Sequence, residues 1–197
     1  MQTRAPDSAA GAQLTLQQWA SLAPEISGEL IHGELVEEEL ADYVHDVVVG
    51  WLITMVGAWA LPRRGLVAAS DAKFGVSETH GRKPDATLYL KGEPRPPGRG
   101  LITVPPTVAI EVVSPTPRDA RRDRVDKLRE YATFGVRYYW IVDPQLRSFE
   151  VLELDDDGRY VHARTATDGA VEPPPCEGLS LDLDALWSLV DDVLAEA

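Results

Sequence analysis

The chain has 197 residues, of which 44% are hydrophobic and 26% are charged, which is the composition of an ordinary globular protein. A length of this order predicts a single domain with a real hydrophobic core. The formal net charge of −13 argues against a broad basic surface for nucleic acid, because phosphate binding depends on lysine and arginine. The only cysteine, Cys176, excludes an internal disulfide and indicates a reducing, cytoplasmic compartment.

Charge is distributed unevenly along the chain. Residues 118–129 contain six basic and three acidic side chains, whereas residues 165–197 contain eight acidic side chains and no lysine or arginine. Two interpretations of the basic stretch stay open. It can present a basic rim to phosphates on one side of the molecule, or it can be a solvated helix face, and charge alone favours the second.

Hydrophobic periodicity and turn residues predict a disordered leader at 1–13 and one domain at 14–197. Within that domain, the predicted elements are a short helix at 14–22, a hairpin at 29–37, a long helix at 42–61, short strands within 66–76 and at 85–90, a strand at 108–113, a helix from about 118 to 134, a strand at 137–142, a hairpin at 148–165 and an amphipathic helix at 185–195. The strand–helix–strand order at 108–142 among further strands indicates an α/β domain with a mixed central sheet.

The long predicted helix contains an uncharged run, residues 47–61. This run is shorter than the roughly 20 residues that a membrane-spanning helix needs, and Pro62 closes it. We therefore interpret it as a buried core helix that can also line a homodimer interface. A membrane-spanning helix is the alternative, and we expect no membrane partner.

A buried carboxylate in the strand at 108–113 needs an explanation. Val108, Ala109 and Ile110 form an apolar run without alternation, as expected of an interior strand that is covered on both faces. Glu111 follows directly. Burial of a charged carboxylate is costly unless a metal ion or a cation pairs with it, so Glu111 is the first candidate for a functional residue.

A second carboxylate, Asp85, opens the predicted strand at 85–90. Asp85 and Glu111 each lie beside a turn, where sheet proteins present side chains to ligands. If the two strands are neighbours, the carboxylates converge and can hold Mg²⁺ or Mn²⁺, with the main-chain carbonyl of Val112 as a further ligand. Such an ion lowers the pKa of a bound water and neutralises charge on a phosphodiester.

The third candidate is Lys127, on the helix that follows. Val125, Leu128 and Ala132 mark the apolar stripe of that helix, and Lys127 lies on its flank. Its stem can follow the core while its ammonium group reaches the sheet, orients the attacking water or stabilises an oxyanion. The alternative is an ion pair with Asp123 on the same helix, which spacing alone favours.

Several short motifs occur in an order that resembles a known family. They are the runs KPDATLYL at 83–90 and IEVVSPT at 110–116, the single residues Asp123, Lys127 and Tyr131, and the runs at 135–136, 139–140 and 142–144. Together they resemble the Uma-two family of bacterial restriction-type endonucleases, which belongs to the PD-(D/E)XK nuclease superfamily. The likeness spans about residues 29–154.

The resemblance implies a restriction endonuclease-like fold, in which helices flank a mixed β-sheet, with a C-terminal hairpin and helix in this chain. It also implies metal-dependent cleavage of DNA phosphodiester bonds, with Asp85 and Glu111 as the acidic motif residues. Val113 stands where the superfamily motif has a lysine. In the family this role moves to the following helix, which here offers Lys127.

The resemblance places two further residues near the site, each with a structural alternative. Glu34 is either an extra acidic ligand or a residue on the surface of the hairpin, and His45 is either a site residue or a helix cap. A different class of function also stays open. The charge of −13 and Val113 favour a catalytically inactive nuclease-fold scaffold that binds nucleic acid or a protein partner.

Overall fold

The computed structural model describes residues 13–23, 26–37, 42–69, 71–114 and 122–195, without the side chains of residues 122 and 123. A six-stranded sheet forms the centre of this structure. Its strands, in spatial order, are β10 (Tyr160–Ala166), β9 (Ser148–Leu154), β8 (Tyr138–Asp143), β7 (Val108–Val112), β6 (Ala86–Tyr89) and β3 (Leu66–Ala69). Strands β7 and β8 are parallel and the other neighbours are antiparallel, so the predicted mixed sheet is confirmed.

Within the described residues, two smaller sheets, four α-helices and a 3₁₀-helix (Leu61–Arg63) surround the central sheet. The helices are α1 (Leu16–Ala20), α2 (Tyr43–Ala60), α3 (Lys127–Phe134) and α4 (Leu183–Ala195), and a π-helical turn (Arg122–Asp126) leads directly into α3. The second sheet has the order β2 (Glu34–Val36), β1 (Glu29–Ile31), β5 (Gly81–Arg82) and β4 (Phe74–Gly75), and a third pairs β11 (Ala170–Val171) with β12 (Leu181–Asp182).

Local sequence signals explain where the main helices begin and end. The carboxylate of Asp42 accepts a hydrogen bond from the amide of His45 at 2.8 Å and caps α2 as predicted. Gly135 ends α3 with φ of 93°, a left-handed conformation that glycine adopts without steric cost. Helix α4 begins two residues earlier than predicted, and the Asp182 carboxylate accepts from the amide of Ala185 at 3.0 Å.

The central sheet is covered on both faces. Because side chains alternate along a strand, Val108, Ile110 and Val112 of β7 enter the hydrophobic cluster that contains buried residues of α2 and α4. Ala109 and Val113 enter a second cluster, which contains residues of α3 and the β4 region. Glu111 therefore belongs to the α3 face, between two layers that exclude water.

Helix α2 fulfils the predicted role of a core helix on its inner side. Among the described residues, the stretch Tyr43–Arg63 is long and apolar enough to cross a membrane, with a mean hydropathy of 1.6. In the structure the helix lies on the central sheet, and Val48, Leu52 and Val56 are fully buried there. A core helix of this kind explains the same composition, although only 33% of the stretch is buried.

The order of the larger predicted elements is confirmed, but β4 and β5 add a small sheet that was not predicted as such. The predicted start of the third helix near residue 118 lies outside the described residues, as do residues 1–12 of the leader predicted at 1–13. The assignment of residues 14–197 to a single domain stays a prediction.

Candidate active site

The two predicted carboxylates lie on neighbouring strands. Strands β6 and β7 are antiparallel, and Ala86 pairs with Ile110. Continuing this register by one residue places Asp85 opposite Glu111. The sequence did not establish whether the two strands are neighbours. In the structure they are, and both carboxylates lie at the same end of the sheet.

Asp85 is held by one of its two oxygens. Its Oδ2 accepts a hydrogen bond from the amide of Val112 at 2.8 Å and lies 3.2 Å from Nε2 of His45. Among the described residues, none donates to Oδ1, and the side chain is 17% exposed. Asp85 is thus fixed in orientation through Oδ2.

Electrostatics keep Asp85 ionised and favour a charged His45. Burial raises the pKa of Asp85, but the hydrogen bond and charge of His45, the charge of Lys127 and the Val112 amide outweigh burial and lower it. Burial lowers the pKa of His45, but the hydrogen bond and charge of Asp85, assisted by Asp46, raise it above its ordinary value.

Glu111 receives a donor at each oxygen. The hydroxyl of Tyr131 donates to Oε1 at 2.6 Å, and the Nζ of Lys127 lies 2.9 Å from Oε2. The Glu111 side chain is only 2% exposed, so these contacts provide the compensation that its burial requires. Burial, with the charge of Glu111, raises the pKa of Tyr131 well above its ordinary value, so the hydroxyl stays a donor.

Lys127 and Tyr131 reach Glu111 because both lie on one face of α3, four residues apart. The structure thus places the Lys127 ammonium at the sheet, which spacing alone did not favour. The predicted alternative, an ion pair with Asp123, concerns a side chain outside the described part of the chain.

Glu29 and Arg82 form a second buried charge cluster beside the site, and neither was predicted from the sequence. The Arg82 Nη1 donates to Glu29 Oε2 at 2.6 Å, while its Nε and Nη2 donate to the two carboxylate oxygens of Glu130 at 2.6 and 2.7 Å. Burial raises the pKa of Glu29, but the charges of Lys127 and Arg82 and hydrogen bonds from Lys83 and Arg82 outweigh it and lower the pKa. The signal in the sequence that could have identified Glu29 is a charged residue next to the apolar residues of β1.

The two residues that the resemblance placed near the site have different outcomes. Glu34 is exposed at the start of β2, and among the described residues no hydrogen bond or ion pair joins it to Asp85 or Glu111, so the hairpin-surface interpretation applies. The interpretation of His45 as a helix cap is wrong. Asp42 caps α2, and the His45 ring contacts Asp85.

The donor set of the site suits a hard divalent cation. Carboxylate oxygens of Asp85 and Glu111 are ligands that Mg²⁺ prefers, and water completes its octahedron when a protein supplies only one or two carboxylates. The carbonyl of Val112 faces the same side of β7 as its amide, which bonds to Asp85. Within the described ranges, no three or more His, Cys, Asp or Glu side chains are grouped for a metal ion, so the ligand set is limited to this pair.

The basic stretch offers less free charge than the sequence suggests. Lys127 is buried against Glu111, and Arg124 donates to Glu150 at 2.5 Å and to Asp143 at 3.2 Å. Arg129 is exposed, and the side chains of residues 118, 121 and 122 lie outside the part that the structure describes. At least two of the six basic side chains are therefore neutralised within the fold.

Solved structures identify the class of fold. The chain resembles a protein described as "a putative nuclease belonging to DUF820" from Anabaena variabilis, with a TM-score of 0.71 and 17% identity over 90% of this chain and 99% of that one. The type IIG restriction endonuclease BpuSI matches 83% of this chain and 19% of its own length, with 15% identity and a TM-score of 0.38. The first match confirms the predicted nuclease-type α/β fold. The TM-score of the second match is too low to support a statement about the fold.

The family follows from the sequence itself. Residues 14–184 match the model of the Uma2 family, whose description is "Putative restriction endonuclease". The chain belongs to the Uma2 family. No curated protein matches the chain. Fold and family therefore agree on a restriction endonuclease-like nuclease, as the resemblance implied.

Proposed function

We propose that the protein is a Mg²⁺- or Mn²⁺-dependent endonuclease that hydrolyses DNA phosphodiester bonds at the site formed by Asp85, Glu111 and Lys127. One observation carries the proposal. Neighbouring strands place two carboxylates at one end of the sheet, and a lysine ammonium group lies 2.9 Å from one of them. A carboxylate pair with a basic group beside it is the arrangement that metal-assisted phosphodiester hydrolysis requires.

Asp85, Glu111 and the Val112 carbonyl would hold the ion, which supplies charge neutralisation and an activated water when bound. The remaining residues orient these ligands. The His45 ring and the Val112 amide fix Asp85 Oδ2, and the Tyr131 hydroxyl fixes Glu111 Oε1. The Lys127 ammonium group orients the attacking water or stabilises the charge that develops on the phosphate.

The position of Lys127 accounts for the missing motif lysine. Val113 lies on the α3 face of β7, in the same cluster as Tyr131 of α3. Because Lys127 descends from α3 onto this face and contacts Glu111, it brings a positive charge to the side of the sheet where a lysine at position 113 would lie. The departure from the superfamily motif is therefore compatible with catalysis.

The test is cleavage of supercoiled plasmid by the purified protein in Mn²⁺ or Mg²⁺, with EDTA as the metal-free control. Asp85→Asn and Glu111→Gln should each reduce the rate about 100-fold or more, because each removes a charged ligand of the metal ion that would stabilise the transition state. Glu34→Gln is the matched control, since Glu34 is an exposed carboxylate on the hairpin, and it should retain the wild-type rate.

Cleavage by Asp85→Asn at the wild-type rate would contradict the proposal. A folded wild-type protein that binds DNA or another protein but shows no metal-dependent turnover would instead support the inactive scaffold. Circular dichroism of each variant separates loss of activity from loss of fold.

We further propose that the protein is a homodimer in which the outer side of α2 contacts a second copy. Tyr43 and Leu61, near the two ends of this side, are 72% and 64% exposed. Between them lies Gly50, where a Cβ would meet nothing within 4 Å, so no contact with the described residues explains this helix-weakening glycine. Ala58 is a further exposed residue of α2. Sedimentation should give a dimer for the wild type and a monomer for Ala58→Lys, and a purely monomeric wild type contradicts the idea.

A further inference from the structure

We infer that Lys127 is the built-in counter-ion of the metal site, paired with Glu111 in the metal-free protein and displaced from it when a divalent cation binds. The inference rests on the proposed function, because it concerns the same two carboxylates. It adds that the lysine competes with the metal ion, so that the residue that serves catalysis also weakens metal binding.

The first support is the way in which Glu111 is occupied. Both of its oxygens already have donors, Tyr131 at Oε1 and Lys127 at Oε2, and its side chain is almost completely buried. A divalent cation that bonds to this carboxylate would come within a few ångströms of the ammonium group. Two cations at such a distance in a buried site repel each other, so the metal ion and this position of Lys127 exclude one another.

The second support is that Lys127 can move away from Glu111 while Tyr131 keeps its contact with Glu111. The ammonium group is a point charge on a flexible four-carbon stem and keeps its donors when it moves. The Tyr131 hydroxyl is neutral, lies on a ring that packs edge-on against Tyr139 with centroids 5.1 Å apart, and does not repel a cation. Displacement of Lys127 from Oε2 therefore disturbs the core less than displacement of Tyr131 from Oε1.

The third support is the charge balance around the lysine. Lys127 contacts Glu111, and its charge also lowers the pKa values of Glu29 and Asp85. Among the described residues, the other buried basic groups beside the site have carboxylate partners of their own, Arg82 with Glu29 and Glu130, and His45 with Asp85. Removal of the Lys127 charge would leave the carboxylates of the site short of positive charge, which a divalent cation can restore.

The experiment is calorimetric titration of Mn²⁺ into the full-length wild type and three variants. Lys127→Met removes the charge, Lys127→Gln removes the charge but keeps a donor for Glu111, and Lys127→Arg keeps the charge. We expect Mn²⁺ to bind Lys127→Met and Lys127→Gln about tenfold more tightly than the wild type, a change of about 1.4 kcal/mol. Lys127→Arg should stay within about threefold of the wild-type affinity.

Thermal unfolding with and without Mn²⁺ gives a second readout that does not depend on cleavage. A ligand that binds only the folded state raises Tm, and at a fixed ligand concentration the increase grows with the logarithm of the affinity, so the increase on adding Mn²⁺ should be larger for Lys127→Gln than for the wild type. Lys127→Gln also keeps the inference testable if Lys127→Met leaves Glu111 without compensation and fails to fold.

The outcomes separate this inference from the proposed function. Suppose that the folded Lys127→Gln protein binds Mn²⁺ no more tightly than the wild type, while Glu111→Gln loses binding. This result contradicts the role of Lys127 as a competing counter-ion but agrees with a metal site at Glu111. Failure of Mn²⁺ to bind the wild type and every variant overturns both. Tighter binding by Lys127→Gln with no detectable cleavage supports competition between the lysine and the metal ion.

Discussion

Two buried charge clusters lie against α3, and they differ in how completely their charges are matched. In the first, three nitrogens of Arg82 donate to Glu29 and Glu130, and the second oxygen of Glu29 accepts from the Lys83 amide at 3.1 Å. In the second, Lys127 and Tyr131 occupy the two oxygens of Glu111, but the contacts of Asp85 are at Oδ2, and no described residue donates to its Oδ1.

The difference agrees with the roles that we propose, in which the Arg82 cluster stabilises the fold and the site cluster exchanges a lysine contact for a metal ion. A guanidinium group is a planar fork that fits a carboxylate through two parallel hydrogen bonds, whereas an ammonium group is a mobile point charge. The Arg82 cluster joins β1, β5 and α3, and thereby holds the α3 face that carries Lys127 and Tyr131. We propose that a metal ion binds at the site cluster on the side of Asp85 Oδ1.

The largest expected effect on stability comes from removing Arg82, the cation of the first cluster. Arg82→Met should lower the free energy of unfolding by about 3–5 kcal/mol, because Glu29 and Glu130 lose the cation that compensates their burial. Urea unfolding measures this loss. Mn²⁺ should not restore the stability of Arg82→Met, whereas it should partly restore that of Lys127→Met, whose site accepts a divalent cation.

The matched control is Arg147→Met, which breaks the ion pair with Asp191. Both partners are about half exposed, so the loss should be at most about 1 kcal/mol. If Arg82→Met is as stable as this control, or if Mn²⁺ restores its stability, the proposed difference between the Arg82 cluster and the site cluster is wrong.

A smaller effect is expected from acid. The pKa of Glu29 is lowered in the folded protein, since the charges of Lys127 and Arg82 and its hydrogen bonds outweigh burial. Its stabilising contribution is therefore complete above the unfolded-state pKa of about 4.3 and is lost as the pH falls through the lower folded-state value. Urea midpoints in EDTA should fall steeply below about pH 5 for the wild type.

Glu29→Gln should be less stable than the wild type at pH 7 and show a shallower decline in acid, because the carboxylate that must be protonated is absent. Parallel curves for the two proteins would show that Glu29 does not contribute to the acid sensitivity. The same comparison with Glu34→Gln serves as a control, since Glu34 lies on the exposed hairpin surface.

The sequence predicted most of the fold, and it singled out the residues of the candidate site, because both leave local signals. Apolar runs and turn residues marked the strands of the central sheet and the helix between β7 and β8. Asp85 and Glu111 were recognisable because a carboxylate beside a buried strand needs a partner. Lys127 was recognisable by its position on the flank of α3, but its contact with Glu111 depends on how α3 packs on the sheet.

The residues that were missed are joined by tertiary contacts. Glu29 and Arg82 are separated by 53 residues, and strands β4 and β5 have two residues each, too few to show a period. Glu29 and Glu34 belong to the same hairpin, and sequence pattern does not tell which strand pairs with β5. In the structure β1 does, so Glu29 is buried and Glu34 is exposed.

The anchoring of α3 by Arg82 has a consequence for the spacing of functional residues along the chain. Because Glu130 ties the helix to β5, Lys127 is held above the sheet by a contact that lies further along α3. We expect the position of the lysine to depend on this contact and not on a fixed number of residues between Glu111 and Lys127. A motif with fixed spacing between the acidic residue and the lysine would therefore overlook chains built in this way.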